Sequence, residues 1–158
     1  MQIYIKIITN VINTIEFRRT NIMVKPIVKD MFFLGQKSVE TTPEDKQVAQ
    51  DLKDTLDAHI DECVGMAANM IGYKKRSIVV FIGLTGVVMH NPVYVNRTGE
   101  FEAIEGCLSL TGSRKAKRYR EIEVKYQDEN FNEKVQKYTG AIAQIIQHEM
   151  DHLDGIII

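Results

Sequence analysis

The stretch GAIAQIIQHEMDHLDGIII, Gly140 to Ile158, decides what the rest of the chain must supply. Apolar residues recur in it with a helical period and Gly155 offers a natural stop, so the sequence predicts one long helix. Inside it, His148, Glu149 and His152 stand in the H-E-x-x-H spacing, which puts two imidazoles one helical turn apart with the reach to share a metal ion. At about 100° per residue, Ile142, Ile146, Met150 and Leu153 share one arc, and Ala141, Ile145, His148 and His152 the next. Gln144, Gln147, Asp151 and Asp154 fall on the opposite side. Glu149 lies between the histidines and the apolar arc, where a carboxylate without a partner is costly to bury. That placement, beside two of the chain's four histidines, favours a metal centre over an ordinary core helix.

Two imidazoles do not complete a catalytic site, which usually has three protein ligands and one open position. A metzincin would place its third histidine at position 158, which is Ile158 here, and no further helix follows to carry the glutamate of a thermolysin-like site. The third ligand is therefore expected upstream, among Cys63, Cys107, His59, His90 and the carboxylates. His59 sits beside an apolar stripe and His90 precedes an Asn-Pro turn, so both read as structural. Cys107 stands in EAIEGCLSL, where Gly106 frees the backbone just before a thiol that can deprotonate on a metal, and it is the favoured candidate.

The chain has 158 residues, 44% hydrophobic and 26% charged, which suits one ordinary domain with a sizeable core. A net charge of -1 and a pI near 6.4 provide no basic field of the kind that nucleic-acid or membrane-surface binding needs. Two cysteines argue against a disulfide scaffold, and no uninterrupted apolar run approaches the length of a membrane span. A cytoplasmic monomer is expected, with no specific nucleic acid and no membrane among its partners.

Residues 1–22 carry Ile3, Ile5 and Ile7 in alternation, either an extra edge strand or an extension of uncertain role, and residues 23–158 form the domain. TTPEDKQVAQDLKDTLDAHIDE predicts an amphipathic helix with Thr42 as N-cap, Pro43 in the first turn and Val48, Leu52, Leu56 and Ile60 as its stripe. SIVVFIGL and GVVMHNPVYV read as strands broken at Gly83 and at Asn91-Pro92. Ile122, Val124 and Tyr126 open a hairpin that returns in KVQKYT, and the tail Ile156–Ile158 reads as a further short strand. The class is α+β: small mixed or antiparallel sheets around the C-terminal metal-binding helix, with an amphipathic helix nearer the N-terminus.

EGCLS, Glu105 to Ser109, and HEMDH, His148 to His152, resemble the second and third motifs of the peptide deformylases. These are metal hydrolases that remove the formyl group from N-formylmethionine at the start of new bacterial proteins. Motif order, spacing and the intervening hairpin extend the resemblance over about Met23 to Ile158. It implies that Cys107, His148 and His152 hold one divalent ion, Fe(II) or Zn(II), and that Glu149 is the general acid and base. The backbone N–H of Leu108 would face the developing oxyanion, Gly65, Met66 and Ala67 would bind the substrate backbone, and an apolar pocket would take the methionine side chain. The implied partner is a formylated nascent peptide. The basic SRKAKRYR, Ser113 to Arg120, reads first as a solvated loop, with a transient ribosome contact as an alternative. Either Arg118 or Arg120 would pair with Glu105.

The first motif departs from the pattern. In CVGMAANM, Cys63 replaces a glycine, Asn69 a proline, and Met70 the glutamine whose amide also serves the oxyanion. Methionine donates no hydrogen bond, and losing one such donor typically lowers turnover about 100- to 1,000-fold. Two readings follow: a working deformylase in which backbone donors or water compensate, or a related protein that keeps the metal and fold as a weak enzyme or a binding protein.

Overall fold

Alternation of buried and exposed side chains builds the sheet. Residues 22–158, which the computed structural model describes, contain five strands paired antiparallel in chain order. These are β1 (Gly65–Ala67), β2 (Ser77–Ile82), β3 (Thr85–Gly106), β4 (Ser113–Gln127) and β5 (Glu133–Thr139). Along β4, Ile122, Val124 and Tyr126 point into the core while Glu121 and Lys125 face out, as their alternation predicts. The α+β class stands, with one continuous sheet in place of several small ones. Its only parallel element among the described residues is the isolated bridge between Val39 and Lys75.

The break expected at Asn91-Pro92 is instead a bulge. β3 runs on through it, with register shifts between His90 and Val93 and again between Tyr94 and Asn96. Asn91 takes a positive φ of 52°. Its side chain holds that geometry by accepting from Thr41 N–H at 2.8 Å and donating to Thr41 O and Gln127 Oε1. Pro92, which has no N–H to give the ladder, sits where pairing is already interrupted.

Among the described residues three α-helices accompany the sheet: α1 (Met31–Leu34), α2 (Gln47–Ala58) and α3 (Gly140–Leu153). Thr42 does begin the second helical region, but as the cap of a 3-10 turn, Pro43–Asp45, where Asp45 accepts from the Thr42 N–H at 2.9 Å. α2 then buries Val48, Leu52 and Leu56 as predicted. Ile60 does not extend the stripe: α2 ends at Ala58, His59 begins a turn, and Ile60 is exposed. After α3, Gly155 adopts φ 73° and its N–H and that of Ile156 close the helix on His152 O and Asp151 O. The tail forms no strand, and Ile158 is buried by packing alone. The alternation of Ile3, Ile5 and Ile7 lies outside the described residues. Leu52, Leu56, Met66, Ile78, Met89, Ile122, Ile146 and Leu153 belong to one apolar core, which carries α2 and α3 on the sheet.

Candidate metal centre and cleft

α3 brings His148 and His152 against the turn that follows β3, where Cys107 lies. The ligand atoms of Cys107, His148 and His152 all fall within 4.8 Å of one another. His148 Nε2 and His152 Nε2 are 3.2 Å apart, and Cys107 Sγ is 3.3 Å from His152 Nε2. Tetrahedral bonds of about 2.0–2.3 Å place neighbouring ligand atoms roughly 3.3–3.6 Å apart. The cluster therefore fits a single small ion with little rearrangement. One thiolate and two imidazoles form a borderline-soft donor set that leaves one coordination position to spare. Of the upstream cysteines and histidines, only Cys107 joins the two Nε2 atoms among the described residues. His59 bonds to Thr55 O, and His90 is buried against Ser77 and stacked on Phe131.

A buried ion network fixes His148, whereas His152 Nδ1 is buried without a hydrogen-bond partner among the described residues. Glu105 Oε2 accepts from His148 Nδ1 at 2.9 Å, which turns that ring so that Nε2 faces the other ligands. Arg118 donates to Glu105 through Nε at 2.9 Å and Nη2 at 2.7 Å, and through Nη1 to Asp151 Oδ2 at 2.7 Å. Arg118 is thus the arginine that pairs with Glu105, while Arg120 packs on the Phe101 ring. Gln144 adds a further bond to Glu105 at 2.9 Å. Burial alone would raise the Glu105 pKa, but the bonds from His148, Arg118 and Gln144 outweigh it and hold the carboxyl at about 2.

The helical projection sets Asp151 and two glutamines apart from the histidines and the apolar arc, and the structure gives that side of α3 partners of its own. Gln147 is buried and bridges to β4, accepting from Tyr119 N–H and donating to Tyr119 O, both at 2.8 Å. Gln144 lines the cleft and Asp151 binds Arg118. That side of the helix packs on β4, a contact between distant segments that local periodicity does not record. The polarity of Gln147 and Asp151, set in an otherwise apolar helix, is the available signal.

The acidic groups around His148 favour positive charge at that position. Burial opposes a charged His148, yet bonds to Cys107 and Glu105 and the nearby Glu149 carboxylate prevail and carry its pKa up to about 10. His152, deeply buried and next to that cation, falls to about 3. Glu149 is buried, and desolvation lifts its carboxyl to about 7; its Oε2 has no hydrogen-bond partner among the described residues. An unpaired, nearly neutral carboxyl beside the ligands can take up and give back a proton at ordinary pH.

These groups open on a cleft of about 660 Å³ lined by Cys63, Gly65, Met70, Leu108, Ile145 and Glu149 among others. Gly65 is needed here for space: a Cβ would lie 2.7 Å from Ile145 Cγ2 and 2.9 Å from Glu149 Oε1. Met66 and Ala67 are fully buried and do not line the cleft, although their strand, β1, is an edge of the sheet. Met70 is turned inward, its sulfur 3.4 Å from the Ala67 N–H that it accepts.

Three comparisons bear on the site. Residues 24–158 match the family model described as polypeptide deformylase. A peptide deformylase of Clostridium beijerinckii is 58% identical over 136 residues, spanning 86% of this chain and 100% of that protein. The crystal structure of a Thermus thermophilus peptide deformylase aligns with a TM-score of 0.75 at 34% identity, over 85% of this chain and 83% of that one. A Met-Ala-Ser-bound class I type b peptide deformylase from Acinetobacter baumannii aligns at 0.76 with 26% identity, over 85% of this chain and 97% of that one.

Proposed function

The chain belongs to the polypeptide deformylase family, and on that footing we propose how its residues divide the hydrolysis of the formyl group from N-formylmethionine peptides. The observation that carries the proposal is the convergence of Cys107 Sγ, His148 Nε2 and His152 Nε2 beside an unpaired, buried Glu149. These three side chains hold one divalent ion, for which Fe(II) and Zn(II) are both suited by ligand softness and geometry. When bound, such an ion acidifies water and polarises a carbonyl.

The chain's own residues do the rest. Glu149 accepts the proton of the attacking water and returns it to the leaving amine, a role its near-neutral carboxyl suits. The Leu108 N–H, which has no backbone partner among the described residues, donates to the oxygen that gains charge. Met70 contributes no donor there. Gly65 leaves room for Glu149 and for a peptide backbone in the cleft, while Met66 and Ala67, fully buried, carry the strand behind it.

The site geometry and the relatives both support a reacting enzyme over a protein that only binds. We place it in the cytoplasm as a monomer acting on nascent chains. Ribosome contact is transient: Lys115 and Lys117 are paired to Glu102 and Glu100, Arg118 is buried, and Arg114 and Arg120 remain to meet a polyanion. Formate release from formyl-Met-Ala-Ser by metal-replete protein, at one ion per chain, is the direct test. Absence of formate with the metal bound overturns the catalytic reading.

A further inference from the structure

The pocket expected for the methionine side chain should be apolar, yet an amide stands in its wall. Gln144 lines the cleft one helical turn before His148, among Ile104, Leu108, Ala141 and Ile145. Its Nε2 donates one hydrogen bond to Glu105 Oε1 at 2.9 Å. Glu105 in turn holds His148. A carboxamide carries two N–H donors in one plane. Committing the first to an anchored carboxylate fixes that plane and so the direction of the second. The second N–H meets no partner among the described residues.

We propose that Gln144 is a specificity-determining residue: its second N–H donates to the thioether sulfur of the substrate's first side chain. The inference rests on the deformylase reading. A peptide whose formyl carbonyl sits at the three ligand atoms carries its first side chain onto the adjoining wall, and Gln144 is two hydrogen bonds away from His148 along that wall. Apolar walls accept methionine and norleucine alike, because the two differ only in sulfur against methylene. The amide distinguishes them, since sulfur accepts a weak hydrogen bond and a methylene leaves the donor unpaired. One modest bond of this kind is worth about a 3- to 10-fold preference.

The test compares Met-Ala-Ser with norleucine-Ala-Ser on the metal-loaded protein, by calorimetric Kd and by formate release from the formylated pair. The wild type should favour methionine about 3- to 10-fold in both, and Gln144→Leu should bring the ratio close to one. Loss of the Glu105 bond affects both peptides equally and cancels in the ratio, so a purely structural role leaves the preference intact. A ratio unchanged in Gln144→Leu overturns the inference, as does an equal affinity of the wild type for both tripeptides. If neither tripeptide binds the loaded protein and no formate appears, the deformylase reading itself fails.

Discussion

The two walls of the cleft are built to different standards. On the α3 side every polar group that positions a ligand is itself held: Glu105 receives His148, Gln144 and two nitrogens of Arg118, and Arg118 reaches on to Asp151. On the loop side, from Cys63 to Met70, the motif has lost its donor, and the sulfur that replaced it satisfies a neighbouring backbone N–H. Holding a metal and stabilising a transition state are thus separate properties of this fold. The first is over-determined by a buried network, and the second hangs on single atoms.

The largest effects should divide along that line. Glu149→Gln should retain one ion per chain while formate release falls about 1,000-fold, because it removes proton transfer and leaves the ligands in place. Cys107→Ser should lose ion and turnover together, as measured by metal analysis of the same preparations. Comparable turnover in Glu149→Gln and wild type would break the assignment. On the holding side, Arg118→Ala leaves the buried Glu105 and the half-buried Asp151 without their cation and should cost about 3–5 kcal/mol in urea unfolding. Arg120→Ala, on the surface against Phe101, should change stability by about 0.5 kcal/mol or less. A similar cost for both arginines would mean that the network does not anchor the site.

The α3 side is also the more legible in the sequence. His148, Glu149 and His152 are placed by one turn of helix, a purely local relation, and Cys107 by a short motif at the end of a strand. The helical stripe of α2 is legible up to Leu56 and overrun at Ile60, because the turn at His59 is stabilised by its own hydrogen bonds and leaves no trace in apolar spacing. Periodicity places Gln147, Gln144 and Asp151 on one side of α3 but does not name their partners, Tyr119, Glu105 and Arg118, which come from β3 and β4. The choice between Arg118 and Arg120 is open in the sequence for the same reason: two residues apart on β4, they share a parity, and only the long-range packing that sets Arg118 beside Glu105 and Asp151 separates them. Asn91-Pro92 reads as a break because bulges are made by tertiary partners such as Thr41 and Gln127.

A gain-of-function test sharpens the contrast on the loop side. Met70→Gln restores an amide where the sulfur now lies, and formate release should rise about 10- to 100-fold over wild type, short of the full value of one oxyanion donor if the Leu108 N–H serves as proposed. The gain should fall on kcat with little change in KM, since the new bond forms as charge develops. An unchanged kcat would show that the loop side is already complete and that a donor elsewhere, in place of Met70, serves the oxyanion.

The smallest expected effect separates the cleft from the framework behind it. His90 is fully buried in β3, far along the strand from Cys107, with Nδ1 on Ser77 Oγ at 2.7 Å and its ring on Phe131. Burial lowers its pKa below the ordinary 6.5, against weaker opposite pulls from Asp128, Glu129 and Asp45. Below pH 6.5 the unfolded chain therefore takes up a proton that the folded chain refuses, so this ring's contribution is intact above 6.5 and is lost as pH falls through the folded value. His90→Gln removes that titration while leaving the ligands alone. It should be less stable than wild type at pH 8, having lost the stack on Phe131, and the gap between the two in urea midpoints should narrow as pH drops below 6.5. Protonation of His148 and His152 acts on both proteins and cancels in the difference. A gap that stays constant down to pH 5 would assign all of the acid sensitivity to the metal side of the cleft and none to the sheet that supports it.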